Sequence, residues 1–230
     1  MDNDRNARLG AASGVVAVIL TFVGFGMVTS GAPGYDESGE AWSGWFADNA
    51  NRIQIGVIVA ALSLFFFIWF LGSLRSAIAA AEGGTGRLAS IAYGGGLLAA
   101  GTLLITLAAV ATAAFRPDEI SPDLTRALND FAAMIGAPAV AALMAFFGAT
   151  AIAGYRHGAL PAPVAGFSAL AAIAQPLTFG VMFTDSGAFA ADGVLGIILP
   201  VLTFAIAIVT ASVTLYRGYT PPAPRSRSTA

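Results

Sequence analysis

Residues Arg52–Leu88 read RIQIGVIVAALSLFFFIWFLGSLRSAIAAAEGGTGRL. From Ile53 to Gly72 the stretch holds no charge, and Gln54 and Ser63 are its only polar side chains. A helix of that length, about 20 residues at a rise of about 1.5 Å each, covers about 30 Å, the hydrocarbon thickness of a bilayer. The chain then continues as LRSAIAAAE, a run of good helix formers, and meets Gly83-Gly84, where a helix finds its C-terminal cap. Arg75 and Arg87 flank this extension. One stretch therefore identifies a span and marks which of its ends is basic.

The whole chain agrees with that reading. Of its 230 residues 57% are hydrophobic and 10% charged, and its mean hydropathy is +0.78. Soluble domains carry about 25% charged residues, so this chain cannot cover a water-facing surface, and it reads as an all-α, polytopic integral membrane protein. Cysteine is absent, which excludes disulfides, thiolate metal sites and cysteine nucleophiles. His157 is the single histidine, so haem held by two histidines cannot form within one chain. Lysine is absent too, which excludes a retinal Schiff base. No cofactor, no metal site and no nucleic-acid partner are expected.

Working outward, Ala11–Thr29 is an apolar run behind the polar MDNDRNARLG. It is longer than the apolar core of a signal peptide and reads as a retained first span. Gly10-x-x-x-Gly14 at its start permits close helix approach. Gly31–Asn51 is acidic, and Trp42, Trp45 and Phe46 fall at helical spacing, so a short segment lying at headgroup depth is expected, with an aromatic ligand box as the alternative. The third span, Ala89–Ala114, carries Gly94-Gly95-Gly96, which allows tight packing. Ser121-Pro122-Asp123 is a helix start, with a Ser cap, Pro in the first position and an acid near the positive helix end. That helix should feed into the fourth span, with a kink near Pro138. The six spans are then about 11–30, 53–72, 89–114, 131–154, 164–183 and 194–215, in three hairpins within a domain of residues 1–216. The Pro-, Arg- and Ser-rich residues 217–230 read as a disordered cytoplasmic tail, where Arg225 and Arg227 can meet anionic lipid.

Alternate connecting segments divide the charge. One set carries eight arginines and three acids, the other three arginines and ten acids, leaving the sides at +5 and −7. Positive residues collect in the cytoplasm, so both termini are expected there, and Tyr93, Tyr155 and Tyr216 fall at the inner ends of their spans. An internal echo also exists. Val59-Ala-Ala-Leu62 recurs 81 residues later as Val140-Ala-Ala-Leu143, with Phe65-Phe66 and Arg75 matched by Phe146-Phe147 and Arg156. It reads either as a parallel duplication or as coincidence among common apolar residues.

Ionisable residues at membrane depth are the usual functional markers of membrane proteins, and here every one lies at or beyond a span end. That argues against ion pumping and against acid–base catalysis in the bilayer, and the chain leans away from being an enzyme. Among the few polar residues at depth the best candidate is Gln175 beside Pro176, with Thr178 nearby. Pro176 frees a backbone carbonyl, so the three residues form a candidate mid-membrane polar site, although a single buried Gln more commonly bonds a neighbouring helix. Thr102 and Thr106 should bond their own helix. Outer acids such as Asp36, Glu37, Asp118 and Glu119 could take a divalent cation, but no Asp-x-Asp-x-Asp-Gly loop occurs and a solvated face is the simpler account. EGGTGR at 82–87 lacks the ending of a phosphate-binding loop and reads as a turn between helices.

Residues Trp69–Gly96, WFLGSLRSAIAAAEGGTGRLASIAYGGG, resemble a family of uncharacterised bacterial integral membrane proteins with six spans. The shared pattern is a Trp-Phe-Leu-Gly-x-Leu-Arg exit followed by Glu-Gly-Gly-Thr-Gly-Arg-Leu. The resemblance implies six helices and a bacterial plasma (inner) membrane location, and it brings no activity or site residues. The expected function is a non-enzymatic accessory or interaction component of the membrane, in contact with lipids and with partner membrane proteins or further copies of itself. The alternative is a channel or facilitator for a small neutral solute or lipid.

Overall fold

The second span belongs to a helix far longer than the bilayer needs. The computed structural model describes residues 2–219, with side chains from Arg8 onward. Its α-helices are α1 (Asp2–Thr29), α2 (Gly39–Glu82), α3 (Arg87–Phe115), α4 (Pro122–Met134), α5 (Gly136–His157), α6 (Ala162–Ala174) and α7 (Leu199–Tyr216). A 3-10 helix, Gln175–Met182, continues α6, and a π-helical turn, Val194–Ile198, leads into α7. No strand occurs among the described residues. Six of the resulting rods are long and apolar enough to cross a membrane. The expected tail beyond Tyr219, including Arg225 and Arg227, lies outside the described residues.

At 44 residues α2 is about 66 Å long, roughly twice a hydrocarbon core, so it extends beyond the span at both ends. Ser38 caps its start by accepting the Ala41 N–H at 3.3 Å, and Gly83 ends it at φ 66°, a conformation that suits glycine. Both of its faces are apolar. Ile53, Ala60, Phe67, Phe70, Leu74 and Ile78 are buried, while Ile55, Ile58, Leu62, Phe65 and Trp69 form an exposed stripe. A water-soluble helix would carry charge on that outer stripe. Its apolar character throughout the middle of the helix suggests a membrane location.

The helices pack in a ring. Each lies on its neighbour in sequence, α3 meets α5 with α4 across one end, and α7 returns to α1. Phe67 of α2 reaches into the centre, with ring centroids 6.2 Å from Phe146 of α5 and 6.0 Å from Phe204 of α7. Close approach is set by small residues. At the α1–α2 crossing a Cβ on Gly24 would meet the Ala60 nitrogen at 2.5 Å and the Gly56 oxygen at 2.8 Å. On α3 a Cβ on Gly95 would meet the Ala142 oxygen at 2.6 Å, as its triple-glycine setting suggests.

The turn after α2 is more than a spacer. The Glu82 carboxylate accepts the Leu88 N–H at 2.9 Å and the Ala89 N–H at 3.2 Å, so the last residue of α2 caps the first turn of α3. Gly83, Gly84 and Gly86 all have positive φ, which folds the carboxylate back onto those amides. Across the same end, Gly158 closes α5 by donating to Gly154, and the Ala159 N–H reaches Ala153. This paired bond is the usual glycine stop of a helix.

Several expectations need correction. The Trp42–Phe46 segment is helical, but it is the first turns of α2 and does not lie apart from it. Trp42 and Phe46 are buried, packed with Val28 of α1, Ala109 and Ala113 of α3 and Ala132 of α4 in a second apolar cluster. The reason is α4, whose apolar side needs a partner at this end of the bundle. The helix from Ser121 does lead into the fourth span, with the Ser cap and first-position Pro as expected. Its hydrogen-bond ladder is interrupted at Ile135 because Pro138 has no N–H for the Met134 carbonyl. The fifth span is α-helical only to Ala174. Thr102 bonds its own helix, whereas Thr106 donates across to the Ala132 carbonyl of α4 at 3.4 Å. The 81-residue echo is not mirrored in packing: Phe65 is 56% exposed and its counterpart Phe146 only 1%.

Candidate functional site

Gln175, Pro176 and Thr178 stand where α6 changes into the 3-10 helix. Pro176 cannot donate to the Ala172 carbonyl, so the α-helical ladder cannot run past it, and the chain winds more tightly. In a 3-10 helix residues three apart eclipse, which sets Gln175 and Thr178 on one buried face. Pro176 is half-buried beside them. Gln175 Nε2 donates to the Pro200 carbonyl of α7 at 3.3 Å, and Thr203 Oγ1 donates to the same carbonyl at 2.9 Å. The buried Gln175 side chain is therefore engaged in joining two helices, a contact of about 1 kcal/mol.

A recess lies at the acid-rich end of the same spans. It is open, with a volume of about 400 Å³, and is lined by Tyr35, Arg126, Asp130, Met134, Met182 and Asp185 among others. Three interruptions of regular helix surround it: the break after Met134, the end of the 3-10 helix at Met182, and the loop before the π-helical turn. Departures from α-geometry of this kind cluster at functional sites. Neither Gln175 nor Thr178 lines the recess. Seven residues at a 3-10 rise of about 2 Å place Met182 roughly 14 Å along the axis from Gln175.

Arg126 organises this end. Its guanidinium donates to the backbone carbonyls of Tyr35, at 2.7 Å, and Glu37, and lies 3.6 Å from the Asp130 carboxylate. A planar fork suits this many acceptors, and it ties the loop before α2 to α4. Tyr35 is half-buried, its ring centroid 5.5 Å from that of Trp42. Burial pushes its pKa from 10.0 to about 12; the nearby Asn129 amide opposes the shift, and Asp130 and Asp192 add to it. Asn129 Nδ2 is itself buried without a well-formed hydrogen bond. A phenol held neutral in this way cannot serve as a base near neutral pH.

Sequence reasoning singled out the Gln175 group and missed the Tyr35–Arg126–Asp130 cluster. A signal did exist: Arg126 is one of only three arginines among ten acids on its side. Of the other two, Arg116 pairs with Glu119 at 3.2 Å in the open, and Arg52 donates to the Ser30 carbonyl at 2.6 Å. Among the described residues no group of three or more acids or histidines is arranged to hold a metal ion. No protein-family model, curated protein or solved structure matches the chain, so the site rests on its own geometry.

Proposed function

We propose that the chain is a non-enzymatic accessory or interaction component of a bacterial plasma membrane, with its three hairpins inserted so that both termini face the cytoplasm. The engagement of Gln175 with Pro200 supports this reading, because the candidate polar site is occupied in helix association. The +5 and −7 division of charge supports the orientation, and the exposed apolar stripe of α2 supports contact with lipid, partner membrane proteins or further copies of the chain. The test is solute uptake into proteoliposomes of the purified full chain. The proposal expects no uptake above empty vesicles for small neutral solutes, and Gln175→Ala to lower stability by about 1 kcal/mol. Uptake that Gln175→Ala abolishes would overturn it.

One observation favours a second reading, a facilitator for a small neutral solute or lipid. The fourth, fifth and sixth spans all lose regular helix on the acid-rich side, around one recess. A passage leading inward from it would have to part the Gln175–Pro200 contact. The same uptake experiment decides between the two.

A further inference from the structure

A second, open groove of about 660 Å³ lies at the arginine-rich end, between the start of α1, the lower part of α2 and the end of α7. We propose that it is a binding site for one membrane phospholipid with an anionic headgroup, its phosphate on Arg8 and its acyl chain along Trp69. Ile68, Trp69, Gly72, Ser73, Ser76 and Ala77 of α2 follow helical spacing and all line the groove. Small side chains from Gly72 to Ala77 hollow out one end, and the large Ile68 and Trp69 wall the other. Arg8 stands at the hollow end, where the Ser73 and Ser76 hydroxyls donate to the Trp69 and Gly72 carbonyls of their own helix, so the guanidinium is the donor that faces an anion. A ligand that fits is therefore amphiphilic, anionic at one end and apolar at the other.

Position selects a lipid over a soluble anion. From Ala77 to Ile68 the groove runs nine residues along α2, about 14 Å, from the arginine-rich end into the apolar span. Ile68 and Trp69 are 43% and 56% exposed and continue the exposed apolar stripe of α2. The floor is rigid. Gly10 presses so closely on the Ser73 hydroxyl that no Cβ fits between them. One turn on, a Cβ on Gly14 would meet Phe70 at 2.7 Å, and the Ser212 hydroxyl of α7 donates to the Ala11 carbonyl. Gly10-x-x-x-Gly14 thus sets the depth of the groove. Arg8 is exposed at its mouth, and a guanidinium holds phosphate through paired hydrogen bonds.

This inference depends on the membrane placement and not on the choice between accessory and facilitator. The full chain, purified in mild detergent, is titrated with phosphatidylglycerol and lipid adducts are counted by native mass spectrometry. The proposal expects one retained lipid, a five- to tenfold weaker apparent affinity for Arg8→Gln, and no change for Arg75→Gln, whose guanidinium instead sits over the Tyr93 ring at 5.8 Å. Ala77→Phe, which fills the hollow without altering charge, should weaken retention as well, and millimolar inorganic phosphate should not compete. Equal losses in both arginine variants would show diffuse charge attraction and overturn the proposal. Competition by inorganic phosphate would show a soluble-anion site and overturn it too. A full chain that retains no lipid, or a dimer that Arg8→Gln dissociates without any bound lipid, would assign the groove to another occupant.

Discussion

Replacing Gly24 with alanine should separate the two longest-paired helices of the bundle. The methyl group would sit 2.5 Å from the Ala60 nitrogen, 2.8 Å from the Ala60 Cβ and 2.8 Å from the Gly56 oxygen. Two of these are backbone atoms of a continuous helix, so no side-chain rotation relieves them. Restoring ordinary contact distances requires α1 and α2 to part by roughly 1 Å, and overpacking of this kind costs about 1–3 kcal/mol. Gly26, two residues on, provides the control, because a Cβ there meets nothing within 4 Å. Helices of a membrane protein persist when it unfolds in detergent, so the helix propensity gained from alanine largely cancels at both positions. Gly24→Ala should therefore lose about 1–3 kcal/mol in sodium dodecyl sulfate titrations from mixed micelles, and Gly26→Ala should stay within about 0.5 kcal/mol of the parent. Equal stability of the two variants would refute the claim that this crossing is set by backbone contact.

Two further outcomes follow from polar groups outside the spans. Glu82→Ala removes the acceptor for the Leu88 and Ala89 amides and should lower stability by about 1 kcal/mol, with Glu82→Gln recovering part of it and hydrogen exchange faster at those two amides alone. Tyr35 keeps its proton in the folded state to about pH 12, while the unfolded chain releases it near 10.0. Its contribution is complete below pH 10 and falls as pH rises toward 12, a loss on the order of 2 kcal/mol that denaturant titrations should detect and Tyr35→Phe should remove.

The spans were legible because a bilayer imposes a length and an apolar composition that few other structures need. Ile53–Gly72 satisfies both without help from any neighbour, and the Ser121 cap and Gly83 stop are local chemistry. What stayed hidden was set by tertiary partners. Trp42 and Phe46 have helical spacing, but spacing leaves open whether their face meets lipid or protein, and the Ala109–Ala132 surface that covers them is more than sixty residues away. The Val-Ala-Ala-Leu echo misleads for a related reason, since a short identity fixes neither the rotation of a helix nor its neighbours. Pro138 and Pro176 each revealed a missing N–H; the response, a break at Ile135 in one case and a 3-10 helix in the other, depended on the surrounding packing. Gln175 was recognisable as buried and polar. Its partner was not, because a backbone carbonyl such as that of Pro200 carries no side-chain signature.

The two ends of the bundle differ in construction, and the difference bears on where ligand-dependent change can occur. At the arginine-rich end helices run regular to their last turns, Gly83 and Gly158 close α2 and α5, the Glu82 carboxylate caps the start of α3, and the Ser212–Ala11 bond ties the final span to the first. At the acid-rich end three spans exchange α-helical bonding for a break, a 3-10 segment and a π-helical turn. Segments with weaker or fewer backbone bonds open at lower free energy than regular, tightly packed helix. Arg126 holds the loop before α2 against α4 there through two backbone carbonyls and a half-exposed carboxylate, contacts that water can replace. A ligand entering the recess therefore meets the more deformable part of the molecule, whereas a lipid at the opposite groove meets a fixed surface. Binding at the arginine-rich end can act as an anchor. Any rearrangement coupled to binding is more readily accommodated around Met134, Met182 and Arg126.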